Sequence, residues 1–303
     1  MAANSQVDVQ NSADSNTSLL NYKNNVHSQF GEDGIIEAAL SKLPTLNRWC
    51  VEFGAWDGIY LSNTRNLIES RGYRAVLIEA NKKSFQKLRK NTDSFSGVLA
   101  VNAFVGFSPS DNLDFLLSTT LCPEDFDFLS IDIDGNDIHV WRAIKQYRPK
   151  LVCIEFNPTI PTEVKFEQPA DPKINWGSSL AAIVSLAKEK RYELICVNEV
   201  NALFVTAELF SLYSIRDNYP STLRPNVISY PMIFTGYDGT IFLTRDVMLP
   251  WHGVNVSGED IQPLPKLLRK YPPNYNFIQR YLARAYRVFH RARKLTRRWL
   301  CAK

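Results

Sequence analysis

Along the middle of the chain, short and nearly continuous apolar runs alternate with segments whose apolar residues recur every three or four positions. The runs at 49–53, 75–79, 97–102, 126–133, 151–156, 192–198 and 202–206 predict strands. Between them, 61–71, 82–91, 138–147 and 179–190 predict helices. An earlier helix is expected over 29–43, with Ile35, Ile36, Ala39, Leu40 and Leu43 on one face. Continuous apolar strands separated by helices imply a parallel sheet covered on both faces. Only residues 199–201 separate the last two runs, too few for a helical crossover, so an antiparallel edge hairpin is expected there.

The flanks read differently. Residues 1–20 are rich in Asn, Ser, Asp and Gln and are expected to be a disordered lead-in. Residues 207–263 carry Pro220, Pro225, Pro231 and Pro250 with few periodic runs, which argues for irregular structure packed over the sheet rather than a second domain. Beyond Pro273, apolar residues at Ile278, Tyr281, Ala285, Val288, Ala292, Leu295 and Trp299 predict one long amphipathic helix with an arginine-rich opposite face. The expected organisation is therefore a lead-in (1–20), a core (21–210), an irregular extension packed on it (211–273) and a basic helix (274–303).

Composition adds two constraints. The net charge of +4 conceals a tail, 264–303, with 12 Lys and Arg and no acid, which leaves a body of net −8. Cys50, Cys122, Cys153, Cys196 and Cys301 are odd in number and include no CxxC, which argues against a disulfide framework or a zinc site. With neither an apolar leader nor a spanning run, a cytoplasmic setting is expected, with the tail a candidate for peripheral contact at the inner face of a membrane.

The first predicted strand runs into Glu52-Phe53-Gly54-Ala55-Trp56-Asp57-Gly58, ahead of a predicted helix. A glycine-bearing turn here lets backbone approach a ligand closely. Glu79 ends the next strand, where a carboxylate can accept hydrogen bonds from both hydroxyls of a ribose. The turn reads ExGxxxG rather than GxGxxG. Its acidic Glu52 and Asp57 would repel a pyrophosphate but suit the sulfonium and amino group of S-adenosylmethionine.

In this respect the sequence resembles the FkbM-like branch of class I S-adenosylmethionine-dependent methyltransferases. The matching stretches are SQFGED (28–33), VEFGAWDG (51–58), SNT (62–64), VLIEAN (76–81), LSIDIDGND (129–137) and IEFNP (154–158), in order within about residues 28–206. The resemblance implies a Rossmann-like α/β fold with a seven-stranded, mostly parallel sheet in the order 3-2-1-4-5-7-6 and helices on both faces. It implies a cofactor loop of Glu52, Gly54 and Gly58 with Asp57 close by, a ribose held by Glu79, and Asn102 and Ala103 near the adenine. Asn63, Ala80 and Asp132 complete the expected cofactor set.

For the acceptor, Asp132, Asp134 and Asp137 surround Gly135 at a strand end. Within a strand, Asp132 and Asp134 would share a face, as would Glu155 and Asn157 on the neighbouring strand, while Asp137 is better read as a helix cap. Asp134 or Glu155 is the expected base and His252, in the Leu249–Gly253 segment, the second choice. His139 is expected to be structural, and His290 belongs to the basic tail. Asp134, Glu155 and Asn157 are also the residue types that hold Mg²⁺. The loop 158–176, with four prolines, is expected to act as an acceptor-binding lid.

The expected activity is O-methylation of a sugar or other small hydroxylated acceptor. One alternative is an RNA methyltransferase gripping phosphates with the basic helix, although Asn157-Pro158-Thr159-Ile160 departs from the NPPY tetrad of amino-methylating enzymes. Another is a non-catalytic interaction module, against which stand Glu52, Glu79 and Asp132. The basic helix itself suits an anionic membrane or a partner helix, with nucleic acid behind them.

Overall fold

The computed structural model describes residues 18–224 and 230–300, the side chains of 293–300 excepted. The described residues split into two compact units, one running to residue 224 and the other from residue 230. Most of the expected disordered lead-in lies outside the described residues. Its end does not fit that expectation, because Leu19–Tyr22 form a 3-10 turn with Leu19 buried.

In chain order the first unit contains α1 (Glu32–Ser41), β1 (Trp49–Phe53), α2 (Arg65–Arg71), β2 (Arg74–Ile78), α3 (Lys82–Thr92), β3 (Val98–Val101) and α4 (Leu113–Leu117). It continues with β4 (Phe128–Ile131), α5 (Asp137–Ala143), β5 (Leu151–Glu155), α6 (Leu180–Glu189), β6 (Tyr192–Val197), β7 (Asn201–Thr206) and α7 (Pro220–Leu223). The strands form one Rossmann-like sheet in the order β3-β2-β1-β4-β5-β7-β6. All neighbours are parallel except β7, which runs antiparallel to both β5 and β6, as the short connection between the last two strands requires.

Side-chain alternation explains the layers. Val51, Phe53, Val76 and Ile78 face a core shared with α4, α5 and α6, whereas Cys50, Ala75 and Leu77 face a second core under α1, α2 and α3. Trp141 of α5 packs on Tyr192 and Phe204, with ring centroids 5.6 and 5.3 Å away. Local signals end the helices where expected: Asn81 Oδ1 accepts from Lys83 N and Ser84 N at the start of α3, and Gly72 (φ 65°) closes α2. Cys50, Cys122, Cys153 and Cys196 are buried free thiols.

The Ser28–Asp33 motif has a structural role. Asp33 Oδ2 accepts from the backbone N–H groups of Val26, His27 and Ser28, and Glu32 Oε1 from the side chains of Asn198 and Asn201. The Asp33 bonds fold the preceding loop onto the start of α1, and the Glu32 bonds tie α1 to the β6–β7 turn.

The second unit holds two antiparallel ribbons where irregular chain was expected. They pair β8 (Ile233–Thr235) with β9 (Ile241–Leu243) and β10 (Val247–Leu249) with β11 (Val254–Val256). The long helix α8 (Phe277–Leu300) follows. It begins with a reciprocal cap in which Asn276 Oδ1 accepts from Gln279 N at 2.8 Å and Gln279 Oε1 from Asn276 N at 3.1 Å.

Candidate active site

The carboxyl ends of β1, β2 and β4 open onto a cavity of about 490 Å³, within the size range of small-molecule sites. Its position beside the β1–β4 pairing, where the strand order reverses, is where open α/β sheets bind ligands. Gly54 (φ 76°) makes the close approach there: a β-carbon would lie 1.8 Å from the Asp132 carbonyl oxygen, so a side chain cannot be accommodated. Among the described residues, Trp56 (φ 48°), Leu61 (φ 58°) and Asp134 (φ 55°) also line the cavity in left-handed backbone conformations. Such strain collects where the surrounding structure holds a functional geometry.

On the β1–β2 side the carboxylates are anchored. Buried Glu52 accepts from Ser62 Oγ (2.6 Å), Thr64 Oγ1 (2.7 Å) and Asn63 N (2.9 Å). Burial raises its pKa, against the effect of those three donors. Glu79 bridges two loops, with Oε2 accepting from Trp56 N at 2.9 Å and Oε1 from Asn81 N at 2.6 Å. Each Glu79 oxygen keeps acceptor capacity for a ligand hydroxyl.

On the β4–β5 side, Asp132, Asp134 and Glu155 place carboxylate oxygens within 4.8 Å of one another. Burial first, and then the neighbouring acids, raise both Asp132 and Glu155 above the usual carboxylate range. Strand alternation does not align Asp132 with Asp134, because β4 ends at Ile131; the turn that follows does. That turn is fixed by Asp137, whose buried carboxylate accepts from Ile133 N (2.9 Å) and Gly135 N (2.8 Å). Burial pushes Asp137 up to about 6, while those two N–H groups oppose the shift.

The loop after β5 closes over this turn. Gly135 leaves room for it, since a β-carbon would come within 2.8 Å of the Ile174 carbonyl oxygen. Asn136 Nδ2 donates to the carbonyls of Asp171 (3.0 Å) and Ile174 (3.4 Å). Buried Gln168 accepts from Trp176 N and Gly177 N and donates to Ile174 O. His139 and Arg142 fasten the outer side, to Gln168 O and to Glu167. The loop thereby brings Pro172 and Asn175 to the cavity wall. Asn136 Oδ1 is buried with no hydrogen-bond partner, and Asn136 lines the same cavity.

Of the expected residues, Glu52, Gly54, Glu79, Ala80, Ala103, Asp132 and Asp134 line the cavity, and Glu155 adjoins it through the acidic group. The others are engaged elsewhere. Asp57 Oδ1 accepts from Ile59 N and Tyr60 N, shaping its own turn, and Gly58 packs against Leu88 of α3. Asn63 Nδ2 donates to Ser130 Oγ, and Asn102 Nδ2 to the Glu79 and Ala80 carbonyls. Asn157 does not join Asp134 and Glu155. It donates to Trp176 O at 2.7 Å and accepts from Thr159, so it holds the loop. His252 belongs to the second unit, where it is exposed and Nδ1 lies 3.0 Å from Pro250 O. Trp56, Tyr60, Leu61, Phe104 and Asn136 escaped the sequence reading as ligand contacts; the one available signal was their place beside motif residues.

No family model matches the chain, and no curated protein matches it. Solved structures with similar arrangements include a SAM-dependent methyltransferase from Aquifex aeolicus. It is 8% identical, with 58% of this chain and 88% of that one covered and a TM-score of 0.37. The CurJ carbon methyltransferase is 9% identical over 58% of this chain and 52% of its own, with a TM-score of 0.40. The N-terminal domain of EvdMO1, solved in the presence of SAH and D-fucose, is 11% identical over 58% and 82%, with a TM-score of 0.37. This chain spans about half of the CurJ structure. Likeness at this level establishes nothing about activity, which has to be read from the residues of the site.

Proposed function

We propose that the first unit binds S-adenosylmethionine across the ends of β1, β2 and β4 and transfers its methyl group to a hydroxyl of a small, sugar-like acceptor. The observation that carries this reading is Glu79, fixed by Trp56 N and Asn81 N at the wall of a cavity that also holds Glu52 and Asp132. A carboxylate so placed suits a ribose diol, and an acidic wall favours a sulfonium over a pyrophosphate. None of the described residues lining the cavity is lysine or arginine, which weighs against a phosphate-bearing acceptor such as RNA. Ile78, Phe104 and Val105 offer the adenine an apolar bed. The ordered motifs between residues 28 and 158 favour the FkbM-like branch.

When bound, the cofactor supplies an electrophilic methyl carbon on a cationic sulfur. The protein must orient an acceptor oxygen in line with that carbon and take its proton. Asp134 and Glu155 are the groups for the proton. As the acceptor oxygen takes up the methyl group that the bound cofactor would supply, its hydroxyl proton would pass to the Asp134 or Glu155 carboxylate. Asn136 Oδ1 and Asn175 would hold further acceptor hydroxyls. Asp132, Asp134 and Glu155 also have the donor chemistry of a Mg²⁺ site, for which residue type alone speaks.

Titration calorimetry with S-adenosylmethionine tests the cofactor half, with binding expected for the protein and weakened by Glu79→Ala. Incubation with labelled cofactor and a panel of sugars and small alcohols should then yield a labelled methyl ether. Equal cofactor binding by both proteins would sink the reading.

A further inference from the structure

α8 turns an apolar face away from its own unit. At about 100° per residue, Phe277, Ile278, Tyr281, Leu282, Val288 and Phe289 fall in one sector of roughly 140°. All are exposed, Phe277 by 86%, Tyr281 by 70% and Val288 by 69%. The opposite side makes the docking contacts: Gln279 is buried and donates to Leu267 O, and the Tyr286 hydroxyl donates to Pro263 O. A solvated face on a monomer rarely carries this many large side chains.

Arginines edge the open face. Arg280, Arg284, Arg287 and Arg291 form a band along one side, and the first three line a cavity of about 470 Å³ within this unit. Its other walls include Leu268, Pro273 and Tyr275. Arg280 Nε and Arg287 Nε donate to backbone carbonyls, and no ion pair among the described residues involves any of the four. No acid occurs anywhere in 264–303. The guanidiniums therefore keep their forks for an external anion, which they bind bidentately when it is a phosphate or carboxylate.

Charge and apolarity together select the occupant. A second copy of α8 would set one arginine band against another, with no carboxylate between them. A nucleic acid would use the arginines but leave the Phe277–Phe289 sector in water. An anionic bilayer satisfies both, since its headgroups take the cations and the acyl boundary takes the apolar side chains. We propose that the second unit docks on anionic lipid surfaces, with the open face of α8 entering the interface and the Arg280–Arg284–Arg287 cavity receiving a headgroup phosphate.

The test is flotation of the full-length chain with vesicles of phosphatidylcholine alone or mixed with phosphatidylserine, at low and high salt. Retention is expected on the anionic vesicles only, weakening as salt rises. Replacing Arg280, Arg284 and Arg287 together by Gln should weaken binding roughly a hundredfold. Tyr281→Ser with Val288→Ser should weaken it about tenfold or more, with the thermal transition unchanged. Arg291→Gln removes a charge from the same band outside the cavity. Its effect should be smaller than that of Arg284→Gln; equal losses would overturn the headgroup site. Equal affinity for neutral vesicles, no vesicle binding, self-association through α8, or tighter binding to RNA that ignores the serine substitutions would overturn the lipid surface itself.

Discussion

The two sides of the cavity treat their carboxylates in opposite ways. Glu52 and Glu79 accept five hydrogen bonds between them from loop donors, which offset part of the cost of burying Glu52. Asp132, Asp134 and Glu155 accept none among the described residues, yet stand within 4.8 Å of one another. A carboxylate surrounded by fixed donors is held in one position, as the proposed cofactor contacts require. Crowding without donors raises Asp132 and Glu155, and a carboxylate with a raised pKa is a stronger base once it is deprotonated, as the proposed proton transfer needs.

The sharpest way to break this contrast is to neutralise each side in turn. Asp134→Asn and Glu155→Gln should lower kcat by roughly 10²–10⁴ for the residue that takes the proton, while cofactor affinity changes little. Steady-state kinetics beside calorimetry would read this, and unchanged turnover in both variants would remove the proton-accepting role. Glu79→Gln should do the reverse, weakening cofactor binding roughly a hundredfold through lost charge-assisted bonds to the ribose.

A pH series probes the crowded side. Asp132 and Glu155 titrate higher in the folded chain than in the unfolded one, so the folded state binds more protons. Stability should therefore fall as pH rises from the ordinary carboxylate range, about 4, through neutrality. Urea unfolding across that range should show the fall, and Asp132→Asn should flatten it; a parallel slope in the variant would contradict the assignment. A bound sulfonium favours the charged carboxylates, so cofactor binding should also release protons, measurable in buffers of different ionisation enthalpy. The smallest effect belongs to the anchored side. Thr64→Val removes one donor to buried Glu52 and should cost about 1–3 kcal/mol in the same unfolding experiment.

Much of this was legible in the chain. The seven strands and the acids at their ends follow from local runs and motif spacing, and the strand order from the family resemblance. Long-range contacts were not. Asn157 looks like a site residue until Trp176, nineteen positions on, offers it a carbonyl. Asp57 Oδ1 and Asn102 Nδ2 likewise bond neighbouring backbone, which a spacing argument does not register. The strand expected over 126–133 ends at Ile131, because Asp134 adopts a left-handed turn that hydrophobic periodicity cannot signal. The aromatic lining, Trp56 and Phe104, resembles any other exposed ring in sequence.

Gly135 has a consequence for how acceptor preference can change. Because the Ile174 carbonyl sits where a β-carbon would be, and Asn136 grips the same segment, the covering loop and the turn bearing Asp134 form one mechanical piece. A grafted loop of different shape would displace Asp134, the proposed proton acceptor, along with the Pro172 and Asn175 wall of the cavity. New specificity in this scaffold would have to arise by substitution within the loop rather than by exchange of the whole segment.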